Sequence, residues 1–381
     1  MDAERYDRQQ RIQGWDQKAL AQARVLSVGA GALGNELLKN LSLCGVGHIG
    51  VIDFDRIELS NLSRTVLFRD EDIGRPKAQV AAEAATRLNC NVDIRHIDGD
   101  VFYDVGLGFY RHVNLTIGGL DNLAARSQVG LSCALAGIPF LDGGMWALGG
   151  EVRWFLPDNG PCFECTLTDD DRQRAYERRS CTGLRSEGIA SFDQRVPTTV
   201  STAAVIGGIL AQEAVRYLCG WRIQSGEAIV YNGLALAMHR AALSRNPDCP
   251  YHLPYQNVIE LDRTSNTTTG HELLNLAAAD LGRPIVLGLG RDFLLGFFCP
   301  SCERYEEINM LIGKVEETRA ICPHCGTSRK AKILSQLDGS EDSASRTLQE
   351  LGIPPGEVLS VRAGEHLRLY ELTDDVERFW A

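Results

Sequence analysis

The stretch that decides the fold runs from Ala23 to Asp55, ARVLSVGAGALGNELLKNLSLCGVGHIGVIDFD. Its first apolar run forms a strand that ends in the glycines Gly29, Gly31 and Gly34. NELLKNLSLCGV then has helical spacing, and HIGVIDFD closes the unit as a second strand. Strand, glycine turn, helix and strand make a βαβ unit with a parallel sheet, the start of a doubly wound α/β domain. The G-x-G-x-x-G spacing lets backbone N–H groups approach phosphate oxygens at a helix N-terminus. Asp53, ending the second strand, is placed to take a ribose hydroxyl pair. This fingerprint alone says nucleotide, and most often means NAD.

The residues beyond Asp53 point away from NAD. IDFDRIELSNLSRTVLF, residues 52–68, places Asp55, Ser60, Asn61 and Arg64 directly after the strand, and IGRPKA adds Lys77. GLDNLAAR adds Asp121 and Asn122. All lie near predicted strand ends or adjacent helix starts, which in a doubly wound sheet line one crevice. Two cations and a carboxylate there suit a triphosphate with its Mg²⁺ better than a nicotinamide ring.

The chain has 381 residues, enough for two cores, and a net charge of −11. That charge disfavours nucleic acid as a partner. The charged N-terminus lacks a signal peptide's apolar core, and no apolar run reaches membrane-spanning length, so a cytoplasmic protein is expected. Twelve cysteines then read as metal ligands and reactive thiols rather than disulfides.

Working outward, GRPKAQVAAEAATRLN is a second helix opened by Pro76. VNLTIGGLD, IPFLDGGM and EVRWFL continue the strand series. A polar crossover loop over about 166–195 carries DDDRQRAYERRSCTGLRSEG. The helix TTVSTAAVIGGILAQEAVRYL and the strand EAIVYNG close a first domain of residues 1–252. From 253 to 381 the pattern is strand, threonine-rich turn, helix, strands, short helix and last strand, a ubiquitin-like (β-grasp) plan. Thr347 and Glu350 form a capping box on the short helix, which Gly352 stops, and VLSVRAGEHLRLYEL reads as a final hairpin.

Cys162 with Cys165, and Cys249 with His252, are two short chelating pairs suited to one tetrahedral Zn²⁺. Cys299, Cys302, Cys322 and Cys325 form C-x₂-C-x₁₉-C-x₂-C, a zinc-ribbon pattern over about 297–329 and a second structural Zn²⁺ site. Cys181 sits in the polar loop beside Arg178, Arg179 and Arg185, whose charges favour the thiolate and make it the candidate nucleophile. Cys44, Cys133 and Cys219 lie in apolar helices and read as packing. Cys90 has no catalytic context.

The run from GAGALG through IGRPKAQVAAEA, continuing in GLDNLAAR, PFLDGGM and PCFECTL, strongly resembles the adenylation domain of ubiquitin-like-protein activating enzymes. It is similar also to the bacterial MoeB/ThiF-type adenylyltransferases. The resemblance implies a Rossmann-like adenylation domain that binds ATP and Mg²⁺. It assigns the ribose to Asp53, the phosphates to Asn61, Arg64 and Lys77, and magnesium to Asp121. It implies that Arg8 serves a neighbouring subunit's ATP in a homodimer, and that Cys162, Cys165, Cys249 and His252 share one zinc. Cys181 would accept a ubiquitin-like protein as thioester, and the C-terminal ubiquitin-fold domain would recruit a conjugating enzyme. Two departures stand out, Ala32 where Gly is common and Thr65 where Gln is usual. The compact plan resembles bacterial members from ubiquitin-like conjugation operons, some of them antiviral. A sulfur-carrier adenylyltransferase, a non-catalytic scaffold subunit and an NAD-dependent dehydrogenase are the competing readings.

Overall fold

The computed structural model describes residues 4–157, 160–172, 197–282 and 284–381. Cys181 and most of the crossover loop lie outside the described residues. After α1 (Asp7–Gln10) and α2 (Gln17–Gln22), the chain enters β1 (Arg24–Val28), crosses the glycine turn into α3 (Ala32–Cys44), and returns as β2 (His48–Asp53). α3 forms because Leu33, Leu37, Leu38 and Leu41 recur at helical spacing and bury one face. It stops at Gly45, whose left-handed backbone (φ 78°) closes the helix on Leu41 and Ser42.

α4 (Lys77–Leu88), β3 (Asp93–Asp98), α5 (Leu107–Arg111), β4 (Leu115–Gly118) and α6 (Leu123–Ala136) follow. The antiparallel end is β5 (Phe140–Trp146), β6 (Gly149–Phe155), β7 (Glu227–Asn232) and β8 (Ala237–Ala242), with α7 (Val200–Leu218) between β6 and β7. The sheet runs β3-β2-β1-β4-β5-β6-β7-β8. It is parallel from β3 to β5 and antiparallel beyond. Chain order reverses between β1 and β4, the switch point at which open α/β sheets leave a crevice.

The C-terminal third builds a second, mixed sheet from β9 (Val258–Leu261), β10 (Val286–Cys299), β11 (Arg304–Leu311), β12 (Lys330–Leu337), β13 (Val358–Ala363) and β14 (His366–Leu372). α8 (Gly270–Leu281) covers it, opened by a Thr269–Glu272 capping box. The first strand pairs in parallel with the last, β9 with β14, and the expected final hairpin is β13–β14. One expectation needs correction. The Thr347–Glu350 box closes one hydrogen-bonded turn and no helix, since Gly352 and Pro354 leave it no room to extend. The cysteine-bearing region begins where β10 ends: β10 reaches Cys299 with register shifts at Gly288–Phe293 and Leu294–Gly296, pairing with β11 and β12.

The two parts meet in one shared core cluster, and the C-terminal sheet has a further core of its own. α9 (Thr373–Trp380) lies on the large sheet, where a Cβ at Gly50 would already stand 3.1 Å from both Phe379 and Trp380. Val358, Leu369, Val376 and Trp380 are buried with Leu26, Val28 and Ile52. Gly106 and Gly108 donate backbone N–H groups to the carbonyls of Pro355 and Gly356, so closely that a Cβ on Gly106 would fall 2.4 Å from Gly356. Glu371, fully buried, accepts from Arg111 Nε and pairs with His112 Nε2, each at 2.7 Å. Burial pushes the Glu371 pKa up, but His112 and Arg111 outweigh it and hold it below the usual carboxylate range.

A shared core predicts joint unfolding. Trp380→Ala should cost about 3–5 kcal/mol and shift a single urea transition, read by circular dichroism and by fluorescence. Two separated transitions would mean that the parts are energetically independent.

Candidate functional site

Three strand ends and three helix starts meet at the switch point. The glycine turn is held by contacts that admit no side chain. Gly29 adopts φ 96°, donates to Ile52 O, and a Cβ there would fall 2.7 Å from Gly119 O. A Cβ at Gly34 would lie 1.9 Å from Gly29 O. Gly31 differs, because a Cβ there would meet nothing within 4 Å. The fold therefore requires glycine at 29 and 34, whereas at 31 it leaves open space beside the turn. That vacant cradle at the N-terminus of a 13-residue helix is what a phosphate group needs. Ala32, the methyl-bearing departure, is buried as the first residue of α3 and stays out of that space.

Asp53 clamps the turn. Its Oδ2 accepts from Ala30 N at 2.7 Å and its Oδ1 from Asp55 N at 2.8 Å. Burial pushes its pKa up to about 6 despite Lys77 and those two N–H groups. Lys77, first residue of α4, places Nζ 2.7 Å from Asp55 Oδ2 with only 12% of its side chain exposed. Its ammonium is thus prepositioned, with a carboxylate that a phosphate chain can replace. The segment between them folds back on itself, because Ile57 and Arg75, then Gly74 and Ile57, exchange backbone hydrogen bonds.

Of the remaining expected residues, Asn61 is buried and accepts from Glu58 N, which fixes a short 3₁₀ turn. Arg64 is half-buried and donates to Ser60 O at 2.7 Å. Asp121 is exposed beyond β4, and Asn122 caps α6 by accepting from Ala125 N. Arg8 stands apart. Gln9, its neighbour, donates to Cys44 O at the far end of α3, roughly 20 Å along the axis from the glycine turn. Arg8 is exposed there and does not belong to the crevice of its own chain.

Two polar groups escaped sequence reading. Asn35, fully buried, donates through Nδ2 to Ala30 O and Gly31 O and accepts from Leu67 N. Asp142, also fully buried, accepts from Arg126 and Arg153 at 2.5–2.9 Å. Burial pushes the Asp142 pKa up, but the two guanidiniums hold it below the usual range. Both arginines also lie over the Phe163 ring in the first cysteine turn. The available signal was a lone polar residue on an otherwise apolar helix or strand, which is costly unless it is bonded.

The cysteine pairs do converge. Cys162, Cys165, Cys249 and His252 place their ligand atoms within 4.8 Å of one another, as do Cys299, Cys302, Cys322 and Cys325. In the first group, Cys162 Sγ lies 3.7 Å from Cys165 Sγ and 3.6 Å from Cys249 Sγ, while His252 Nε2 lies 3.0 Å from Cys165 Sγ. Burial, then Cys165 and Cys249, push the Cys162 thiol up. Crowding four such groups is unfavourable without a cation, and the donor set fits tetrahedral zinc. Burial and Arg245 lower the His252 pKa, which favours the neutral ring a metal requires. With zinc on Nε2, Nδ1 would carry the proton, so Arg245 Nε, now 3.0 Å from Nδ1, would turn away. Cys133 is buried, Cys44 and Cys219 are half-buried, and Cys90 is exposed.

A doubly wound sheet with a phosphate-ready glycine turn, an acidic strand end and a lysine at the switch point defines a nucleotide-binding α/β protein. The chain belongs to the ThiF family, whose model matches residues 6–251. It is 31% identical over 251 residues to the molybdopterin-synthase adenylyltransferase of Escherichia coli (strain K12), covering 64% of this chain and 94% of that protein. It is 40% identical over 158 residues to the NEDD8-activating enzyme E1 catalytic subunit of Arabidopsis thaliana, covering 38% of this chain and 34% of that one. The solved structure of E. coli MccB shares the fold with a TM-score of 0.51 at 20% identity, covering 62% of this chain and 66% of that chain.

Two outcomes follow from this geometry. Elemental analysis should find two zinc ions per chain, falling to one in Cys299→Ser and in Cys162→Ser. Nucleotide affinity, measured by titration calorimetry, should weaken as pH falls through about 6 because a protonated Asp53 accepts ribose hydroxyls poorly. Asp53→Asn should bind more weakly at pH 8 and lose that pH dependence.

Proposed function

We propose that the chain activates the C-terminus of a ubiquitin-like protein with ATP. The observation that carries this reading is the turn at Gly29–Gly34 with Asp53 and Lys77 beside open space at Gly31. The carrier's terminal carboxylate oxygen attacks the α-phosphorus of ATP, a new P–O bond forms, and the bond to pyrophosphate breaks. Arg64, Lys77 and the helix N-termini hold the phosphates and meet the charge that develops on the departing group. Asn61 adds a polar contact to the phosphates, and Asp53 orients the ribose. Asp121, with Asn122 beside it, would hold Mg²⁺, which supplies charge neutralisation on the phosphates when bound. Arg8 would reach the crevice of a second copy in a homodimer, as its place at the far end of α3 supports.

In the second half-reaction the Cys181 thiolate attacks the acyl-adenylate carbonyl, forming a thioester and releasing AMP. The thioester then passes to a conjugating enzyme recruited by the C-terminal third. Two facts support this extension. Identity to the E1 catalytic subunit is higher over its shorter span than identity to the adenylyltransferase. The C-terminal third also lies beyond the family match, where an additional partner-binding unit has room. Zinc at the two cysteine groups would be structural, since four protein ligands leave no open position.

The second reading is a sulfur-carrier adenylyltransferase, favoured by the match to 83% of the length of a sulfur carrier protein adenylyltransferase. A carrier ending in Gly-Gly, ATP and Mg²⁺ separate the two. Cys181→Ala should keep ATP–pyrophosphate exchange and lose a thiol-sensitive adduct on non-reducing gels. Exchange without any adduct in the wild type selects the sulfur-carrier reading, and neither activity leaves a scaffold. Lys77→Ala should slow exchange by about 10²–10³-fold. A mixture of Arg8→Ala and Lys77→Ala should regain activity if arginine acts across the dimer.

A further inference from the structure

Asn35, the fourth residue of α3 and the one directly after Gly34, has no exposure at all. An amide there is costly unless every polar atom is bonded. All three bonds it makes serve the crevice. Nδ2 donates to Ala30 O at 2.7 Å and to Gly31 O at 3.1 Å. Oδ1 accepts from Leu67 N at 2.9 Å. Ala30 is therefore gripped at both ends, its N–H by Asp53 and its carbonyl by Asn35. Drawing the carbonyls of Ala30 and Gly31 toward the helix leaves the N–H groups at its start free to face the open space at Gly31. The third bond reaches a separate segment. Leu67 follows Arg64 and Thr65, and Thr65 Oγ1 in turn donates to Asn61 O. One side chain thus joins the glycine turn to the loop that carries Asn61 and Arg64.

We propose that Asn35 is a positioning residue that sets the phosphate-binding turn and the Asn61–Arg64 loop in one fixed geometry. The role rests on the adenylation reading for its catalytic consequence, but not for its effect on nucleotide affinity. No apolar residue of similar shape can replace it, because Ala30 O and Leu67 N would lose their partner together, while Gly31 O would keep only the Asn35 backbone N–H. A carboxylate can replace it only when protonated. Its hydroxyl would then donate to Ala30 O, while the other oxygen accepts from Leu67 N. Ionised, it would face two carbonyl oxygens at hydrogen-bond distance.

The test compares Asn35→Leu and Asn35→Asp with wild type in ATP titration calorimetry and in ATP–pyrophosphate exchange from pH 5.5 to 8.5. Asn35→Leu should weaken ATP binding at least 10-fold and lower exchange kcat further, with circular dichroism still showing the folded chain. Asn35→Asp should approach wild type at the acid end and lose affinity and kcat as pH rises. Asp53, which clamps the same Ala30 and titrates at about 6, is present in both proteins, and Asn35→Asp/Asp53→Asn against Asp53→Asn alone separates its titration from that of the new carboxylate. A ratio independent of pH, or a loss matching only the unfolded fraction, overturns the role. Absence of exchange in the wild type with ATP binding intact defeats the adenylation reading alone, and the affinity ratio still decides Asn35. Absence of wild-type ATP binding defeats both.

Discussion

The structure depends on how closely α3 approaches the end of β1. With Gly29 O only 1.9 Å from where a Cβ at Gly34 would be, the helix can start directly above the strand end. That closeness makes its first N–H groups the floor of a crevice. Moving the helix outward by one side chain would separate the helix dipole from the strand ends and from Asp53. The same approach places Gly29 against Gly119, so the glycine turn and the β4 end form a single surface. Position and electrostatics of the site are therefore consequences of one steric constraint.

Around this constraint the protein uses buried polar groups as joints. Asp53 joins the turn to the strand that follows it. Asn35 joins it to the loop beyond. Asp142 joins α6, β5 and β6 through Arg126 and Arg153. Glu371 joins the two parts of the chain through Arg111 and His112. A buried pair of this kind adds little net stability over an apolar replacement, but breaking one partner is costly. Such joints tolerate one arrangement only. An active crevice needs that single geometry more than it needs extra stability.

Which features were legible in the sequence follows from how local they are. The glycine turn, the α3 and α4 starts, the β13–β14 hairpin and the two cysteine quartets depend on spacings of a few residues or on short chelating pairs. Those patterns transferred directly into elements and clusters. Asn35 was hidden because its partners lie on two different segments and only folding brings Leu67 to it. Glu371 and Arg111 are 260 positions apart in sequence, and nothing near either one announces the pairing. The Thr347 box misled for a different reason. Its hydrogen bonds are those of a helix start, but capping cannot propagate a helix into Gly352 and Pro354. The continuation of β10 through Phe297 to Cys299 is settled by pairing with β11 and β12, a tertiary matter that no local spacing announces.

The placement of the two cysteine groups bears on how the chain divides its work. The first links the turn after β6 to the segment after β8, across the antiparallel end of the large sheet. Phe163 in that turn lies under Arg126 and Arg153, the partners of Asp142. A cation there would fix the arginine joint from behind, at a distance from the phosphates. The second group gathers the C-terminal end of β10 with the connections from β10 to β11 and from β11 to β12, on the C-terminal sheet. Neither quartet adjoins the glycine turn in the fold, so metal and nucleotide act on separate parts of the architecture. Losing a metal should therefore loosen the surfaces that present the crevice before it alters the residues that line it. The shared core under α9 carries such loosening from one sheet to the other. In this chain the C-terminal third acts as a structural continuation of the nucleotide-binding part, and any partner docked on it would meet a surface fixed relative to the crevice.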